Sequence, residues 1–462
     1  MLLITTLAEY QTAFWEAVAH EAVRTGQEVG FVSFDDRSTE QLRKSGFRVW
    51  DAPARPQPVT EAEFLAALDQ FDITNANHWL THERVAFGTR DGETLRAKLV
   101  AYLRLVDGAC SELLREGKHV TLVQELGGFV SVVASMFAAR RHGIDNWFIE
   151  PAFFRGRMFF IRNSFAAPRV QIDPGIEPSD VVRRYLADTL AARSIVIPIK
   201  DKHQYTTAFR KVFNRKNGRR LVQKLIDKHM LGKHQEFGHI GKYVRQHLGM
   251  ILSGMRLKKA YAQLADVGRF VYYPLHVPGD MALTLRSPQY LDQLALVDFL
   301  ARNVPPTHKI AIKEHPAMVG LVDVPRLQAL MKRYDNIVLL NPSINNFEVL
   351  GATDAVVSVN SKSGAEAGLL GKPTLVLGDA FYKGSPIVTS VDALSDVPAM
   401  LARAVATREA ASTEETRLAY FDAVWRACSP GELYVCDAAN VRTFTKSMVD
   451  ALAEPPREAT PA

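Results

Sequence analysis

KIAIKEHPAMVG, residues 309–320, and AVVSVNSKSGAEAGLLGKPTLVLGDAFYKG, residues 355–384, decide how the rest of the chain is read. Each begins with a short apolar run rich in β-branched residues and ends in a polar cluster. The second cluster opens directly into a helical pattern. Polar groups gathered at the ends of strands are where α/β proteins hold their ligands.

Working outward, the same rhythm recurs on both sides. Residues 1 to about 195 give LLITT, a helix near 9–25, EVGFVSF, a helical 38–45 and FRVWDA, then a long helix near 93–117, HVTLVQEL, a helix near 130–142 and NWFIEPA. From 269 it resumes with RFVYYPLHV, a helix near 288–303, KIAIKEH, a helix near 325–333, NIVLL, a short helix near 345–350, AVVSVN, a helix from 363 and PTLVLGD. Strands separated by helices predict parallel sheets covered on both faces. The expected organisation is a Rossmann-like domain over 1–195, a basic helical insertion over 196–268, a second Rossmann-like domain over 269–410, helices over 411–453 and a disordered tail over 454–462. At 462 residues the chain is long enough for two cores.

The formal charge of +6 is unevenly spread. Sixteen Lys or Arg lie between Lys200 and Lys259 against Asp201, Asp227 and Glu236, so the remainder of the chain is acidic. A basic segment of this kind either meets an anionic partner such as a membrane surface, or is a set of solvated basic helices that balance the acidic remainder of the chain. Five of the 13 histidines lie in it without ligand spacing, which reads as a solvated face. It carries few aromatics among its cations and no helix-turn-helix or RNP pattern, which argues against nucleic acid. No apolar run reaches the roughly 20 residues needed to cross a bilayer, and no signal peptide is evident, so a cytoplasmic protein is expected, either free or peripheral on the inner face of the plasma membrane. Cys110, Cys428 and Cys436 fit neither a disulfide framework nor a zinc pattern, and no metal site is expected.

Four segments can carry chemistry. Gly127-Gly128 forms a strand-to-helix turn that faces a ligand or simply keeps the turn tight. In Pro274-Leu275-His276-Val277-Pro278-Gly279-Asp280 the prolines and glycine hold the loop irregular, and a carboxylate so fixed serves as a base, as a nucleophile at a sugar carbon, or as a turn cap. In Lys313-Glu314-His315-Pro316 alternation puts Lys313 and His315 on one face, suited to phosphate or carboxylate. In Asn360-Ser361-Lys362-Ser363-Gly364-Ala365-Glu366, Ser363 and Glu366 match a capping box, and a helix start with free N–H groups also suits a phosphate. Neither an NTPase loop nor a dinucleotide fingerprint is present.

The order PLHVPGDMALTLRSP (274–288), IAIKEHP (310–316) and VNSKSGAEAGLLGKPTLVLGDAFY (359–382), preceded by FIEPAFFRGRMFFIRNS (148–164), resembles the capsule polysaccharide biosynthesis family that includes the bacterial capsule β-Kdo transferases. The resemblance covers about 146–168 and 270–384. It implies a GT-B fold and a retaining glycosyltransferase that moves Kdo from CMP-Kdo to a lipid-linked or oligosaccharide acceptor, with no cofactor beyond that nucleotide-sugar substrate. It further implies that Asp280 is the catalytic aspartate and that Glu150 serves the acceptor side or acts as acid/base, with His276 beside them. Lys313, His315 and Pro316 then meet the donor phosphate, and Asn360, Ser361, Ser363, Gly364 and Glu366 the nucleotide. The chain differs from capsule members at His276, often Gln there, and at Glu150-Pro151-Ala152. The alternative is a nucleotide-sugar epimerase or a glycerophosphotransferase of GT-B-like fold.

Overall fold

The computed structural model describes residues 1–194, 196–205 and 215–453. Its strands are β1 (Leu2–Thr6), β2 (Val29–Ser33), β3 (Arg48–Asp51), β4 (Thr121–Glu125), β5 (Asp145–Pro151), β6 (Arg157–Arg162), β7 (Tyr261–Ala262), β8 (Phe270–Pro274), β9 (Lys309–Lys313), β10 (Ile337–Leu340), β11 (Ala355–Ser358), β12 (Thr374–Val376), β13 (Thr389–Ser390) and β14 (Ser429–Pro430). They form two seven-stranded sheets, ordered β14-β6-β5-β4-β1-β2-β3 and β13-β12-β11-β8-β9-β10-β7. The second sheet is parallel throughout. Two Rossmann-like domains joined by a helical insertion make a GT-B-like α/β fold, as the strand–helix alternation predicts.

The chain order reverses between β1 and β4 in the first domain and between β8 and β11 in the second, where β7 is added at the edge beside β10. Ligands of open α/β sheets lie outside the carboxyl ends of the strands at such a reversal. Pro274 of β8 stands beside Lys313 of β9, which brings the loops that follow these strands to one level.

Several elements differ from the reading above. Helices Glu61–Gln70, Ala76–Phe87 and Asp180–Ala191 and strand β6 were not foreseen. The first is announced by Thr60 and Glu63, which form a reciprocal capping box. Strand β6 runs antiparallel to β5 because Ala152 N–H bonds back to Arg157 O at 3.0 Å, closing a hairpin within the aromatic stretch. Tyr261–Ala262, placed in the insertion, is the edge strand of the second sheet. The expected C-terminal helices return to the first domain: β14 pairs with β6, and Phe444 of helix Ala438–Ala453 packs on Phe14 at 4.9 Å. The expected disordered tail, 454–462, and residues 206–214 of the insertion lie outside the described residues.

The domains share a core. Phe153, Phe154 and Phe159 of the first domain belong to one apolar cluster with Ala365, Leu369 and Tyr382 of the second and Phe421 of helix Glu414–Ala427. Phe153 meets Phe421 at 4.9 Å, and Phe154 meets Trp425 at 4.9 Å. Aromatic contacts of this size fix one side of the interdomain cleft.

Candidate functional site

The loop after β8 is clamped from outside itself. Gln293 accepts from His276 N–H at 2.6 Å and donates to His276 O at 3.1 Å. The loop ends at Asp280, whose exposed carboxylate accepts from Ala282 N–H at 3.0 Å and caps the short helix Met281–Thr284. Capping occupies one carboxylate oxygen and leaves Asp280 facing solvent at the cleft. His276 beside it is neutral: burial pushes its pKa down to about 4, opposed by Asp280 and reinforced by His315.

A second imidazole comes from the first domain. The Thr284 hydroxyl donates to Asp280 O at 3.1 Å, so His82 Nδ1–H donates to Thr284 Oγ1 at 2.8 Å. Burial pushes His82 down to about 4, with Asp280 pulling the other way. Helix Ala76–Phe87 can come this close because Gly128 has no Cβ, which would overlap the His82 ring. That gives the Gly127-Gly128 turn a packing role. His82 Nε2, His276 Nε2 and Asn360 Oδ1 are buried and find no hydrogen-bond partner among the described residues. All three flank the turn 280–287, since Asn360 Nδ2 donates to Ala282 O at 2.5 Å and Ser287 Oγ at 3.1 Å.

Facing this turn is the start of helix Lys362–Leu369. Ser361, not Ser363, is the cap, accepting from Ser363 N–H at 3.2 Å. The expected Ser363–Glu366 capping box does not form, because the buried polar side chain of Asn346 takes both residues, donating to Ser363 Oγ at 3.0 Å and to Glu366 Oε2 at 2.6 Å. Burial pushes Glu366 up to about 7, moderated by the Asn346 hydrogen bond, Lys362 and Lys313. A Cβ on Gly364 would overlap the Tyr382 hydroxyl, which donates to Ser361 O at 2.5 Å and holds the turn.

Lys313 is 3% exposed and donates to Ile344 O at 2.8 Å; burial lowers its pKa to about 8 against the pull of Glu366. His315 receives Ala317 N–H on Nδ1 at 3.3 Å, and Pro316 starts the 3-10 turn that follows. Glu314 points away, taking Tyr261 O–H at 2.6 Å and Gly320 N–H at 2.8 Å. A cavity of about 240 Å³ opens between the loops after β8 and β9, lined by Leu275, His276, Gln293, Glu314, His315 and Met318 among others.

Glu150 lies next to last in the first domain's β5 and meets a partner the sequence reading missed. Arg286 grips it bidentately at 3.0 and 3.1 Å, and also donates to Phe165 O at 2.7 Å. Lys362, overlooked among the hydroxyls around it, crosses the same cleft to Ala152 O at 3.1 Å; burial lowers its pKa, with Glu150 opposing. Both cations stood inside quoted motifs, Arg286 in LTLRSP and Lys362 in NSKSG, yet nothing local names a partner in the other domain.

The arrangement is one crevice with an exposed carboxylate, two neutral imidazoles, a helix N-terminus, the buried Lys313 and the half-buried Lys362. Residues 131–395, more than half of the chain, match the family model described as capsule polysaccharide biosynthesis protein. The chain belongs to that family. A curated relative, Protein FixF of Sinorhizobium fredii, is 33% identical over 135 residues, which are 29% of this chain and 32% of that protein. The chain thus spans about a third of that relative's length. Among solved structures, the KpsC β-Kdo 2,7-transferase of Thermosulfurimonas dismutans is similar at 16% identity and a TM-score of 0.34, covering 76% of this chain and 89% of that one. The UDP-GlcNAc 2-epimerase of Neisseria meningitidis is similar at 12% and 0.27, covering 98% and 99%.

Proposed function

We propose that the protein transfers Kdo from CMP-Kdo, with retention, to a lipid-linked or oligosaccharide acceptor of surface polysaccharide. The observation that carries this reading is the set of three unpartnered buried atoms, His82 Nε2, His276 Nε2 and Asn360 Oδ1, around the exposed carboxylate of Asp280. Buried polar groups without partners are costly, and a polyhydroxylated ligand seated there would satisfy them.

In the proposed reaction an Asp280 oxygen attacks the anomeric carbon. The carbon–oxygen bond to phosphate breaks, and its electron pair leaves with CMP. Lys313, Lys362 and the N–H groups at the helix start oppose the charge that develops on that phosphate. The acceptor hydroxyl then displaces Asp280 from the anomeric carbon. Two displacements at one carbon restore the configuration, as in retaining glycosidases. Glu150, fixed by Arg286, is the positioned carboxylate on the acceptor side and the candidate to take the hydroxyl proton. The cavity beside His276 and His315 offers apolar walls for the cytosine ring.

Intact-mass measurement after exposure to CMP-Kdo tests this. The wild type is expected to gain one Kdo, and Asp280→Asn none. A fully active Asp280→Asn would remove Asp280 from the mechanism, and isomerisation of a UDP-sugar without acceptor would replace this reading with the epimerase alternative.

A further inference from the structure

We propose that the exposed face of helix Ile240–Leu257 docks the protein on an anionic bilayer surface. The helix has two unlike sides. His247, Met250 and Leu257 are buried, with Leu257 in the second domain's core. Leu248, Leu252 and Met255 are 44%, 56% and 67% exposed. Their spacing of four and three residues puts them in one stripe on the helix surface. The neighbouring helix Arg215–His229 and the turn after it expose Val222, Met230 and Leu231 as well. Half of the large exposed apolar side chains among the described residues fall between 222 and 255.

Charge selects the partner. Arg245, Arg256, Lys258 and Lys259 are exposed along and beyond the same stripe. Residues 215–262 contain twelve Lys or Arg and two acids, Asp227 and Glu236. Both acids are buried and taken: Asp227 by Arg37 at 2.6 and 2.8 Å, and Glu236 by Lys98 at 3.0 Å. The exposed cations therefore have no acid of their own segment beside them. A polyanionic glycan or a nucleic acid would satisfy the cations but give leucine and methionine nothing apolar to enter. An anionic bilayer satisfies both, in the manner of interfacial amphipathic helices. No helix among the described residues is long and apolar enough to span a membrane, so the contact is with the surface.

The inference is independent of the donor-site reading, because vesicle binding needs no substrate. Purified protein is sedimented with vesicles of phosphatidylcholine alone and with vesicles containing phosphatidylglycerol. Partitioning is expected to be about tenfold stronger on the anionic vesicles, and to fall by about tenfold as salt rises from about 0.1 M to about 1 M. Leu248→Ser/Leu252→Ser/Met255→Ser is expected to lose about tenfold of the anionic binding while keeping wild-type circular dichroism and melting, since these side chains already face water. Equal binding to both vesicle types, or a triple variant that binds like wild type, overturns the proposal. So does light scattering that finds a dimer which the triple variant dissociates, because a second copy then covers the face.

Discussion

Burial holds the Glu366 carboxyl at a pKa of about 7, against an ordinary value of 4.5. A carboxyl raised on folding contributes most to stability below about pH 4.5, and that contribution is lost as pH rises through 7. Glu366→Gln keeps a hydrogen-bonding partner for Asn346 and removes the titration. Urea midpoints at pH 5 and pH 8 should therefore converge in the variant, which should gain stability at pH 8 on the order of 3 kcal/mol relative to wild type. Lys313 is the converse case, lowered to about 8 by burial. Replacing it with Met is expected to leave the melting temperature unchanged or higher while weakening CMP binding about tenfold by calorimetry, because a buried cation is costly to fold and useful to an anion. Of the site residues, Asp280, His276, Lys313, His315 and the Asn360–Glu366 cluster could be named from their motifs. The environments that set their charge states could not, because desolvation depends on residues such as Asn346 and His82 that carry no motif.

The helix Lys362–Leu369 shows how a local rule yields to packing. Sequence spacing favoured Ser363 and Glu366 as a reciprocal cap, but Asn346 draws both side chains inward and Ser361 takes the capping role. Ser361→Ala should cost about 1 kcal/mol in a denaturant titration, and it should weaken nucleotide binding in the same sample. Gly364→Ala should cost more, about 1–3 kcal/mol, because the added methyl displaces Tyr382, whose hydroxyl holds Ser361 O. Adding Tyr382→Phe to Gly364→Ala should recover part of that loss. Strict additivity of the two would rule out the contact as its cause.

At the scale of the whole molecule, alternation of strands and helices made both sheets legible, because period and turn chemistry are local properties. The interdomain contacts were not legible. Glu150–Arg286, Lys362 with Ala152, and Phe153 with Phe421 join residues far apart in sequence, and only the packed fold says which meet. Since one apolar cluster spans both domains, circular dichroism and tryptophan fluorescence should report one coincident thermal transition. Phe153→Ala should lower that single transition, at a cost of about 3–5 kcal/mol, rather than split it in two.

The return of β14 and helix Ala438–Ala453 to the first domain also dictates an order of events during synthesis. Phe14 and Trp15 leave the ribosome long before Phe444, the ring each of them packs against edge-on. The N-terminal half therefore cannot finish folding as it emerges, and waits with an apolar helix face uncovered while the second domain is translated. A chain stalled before residue 429 should be captured by chaperones that a chain carrying β14 and helix Ala438–Ala453 escapes.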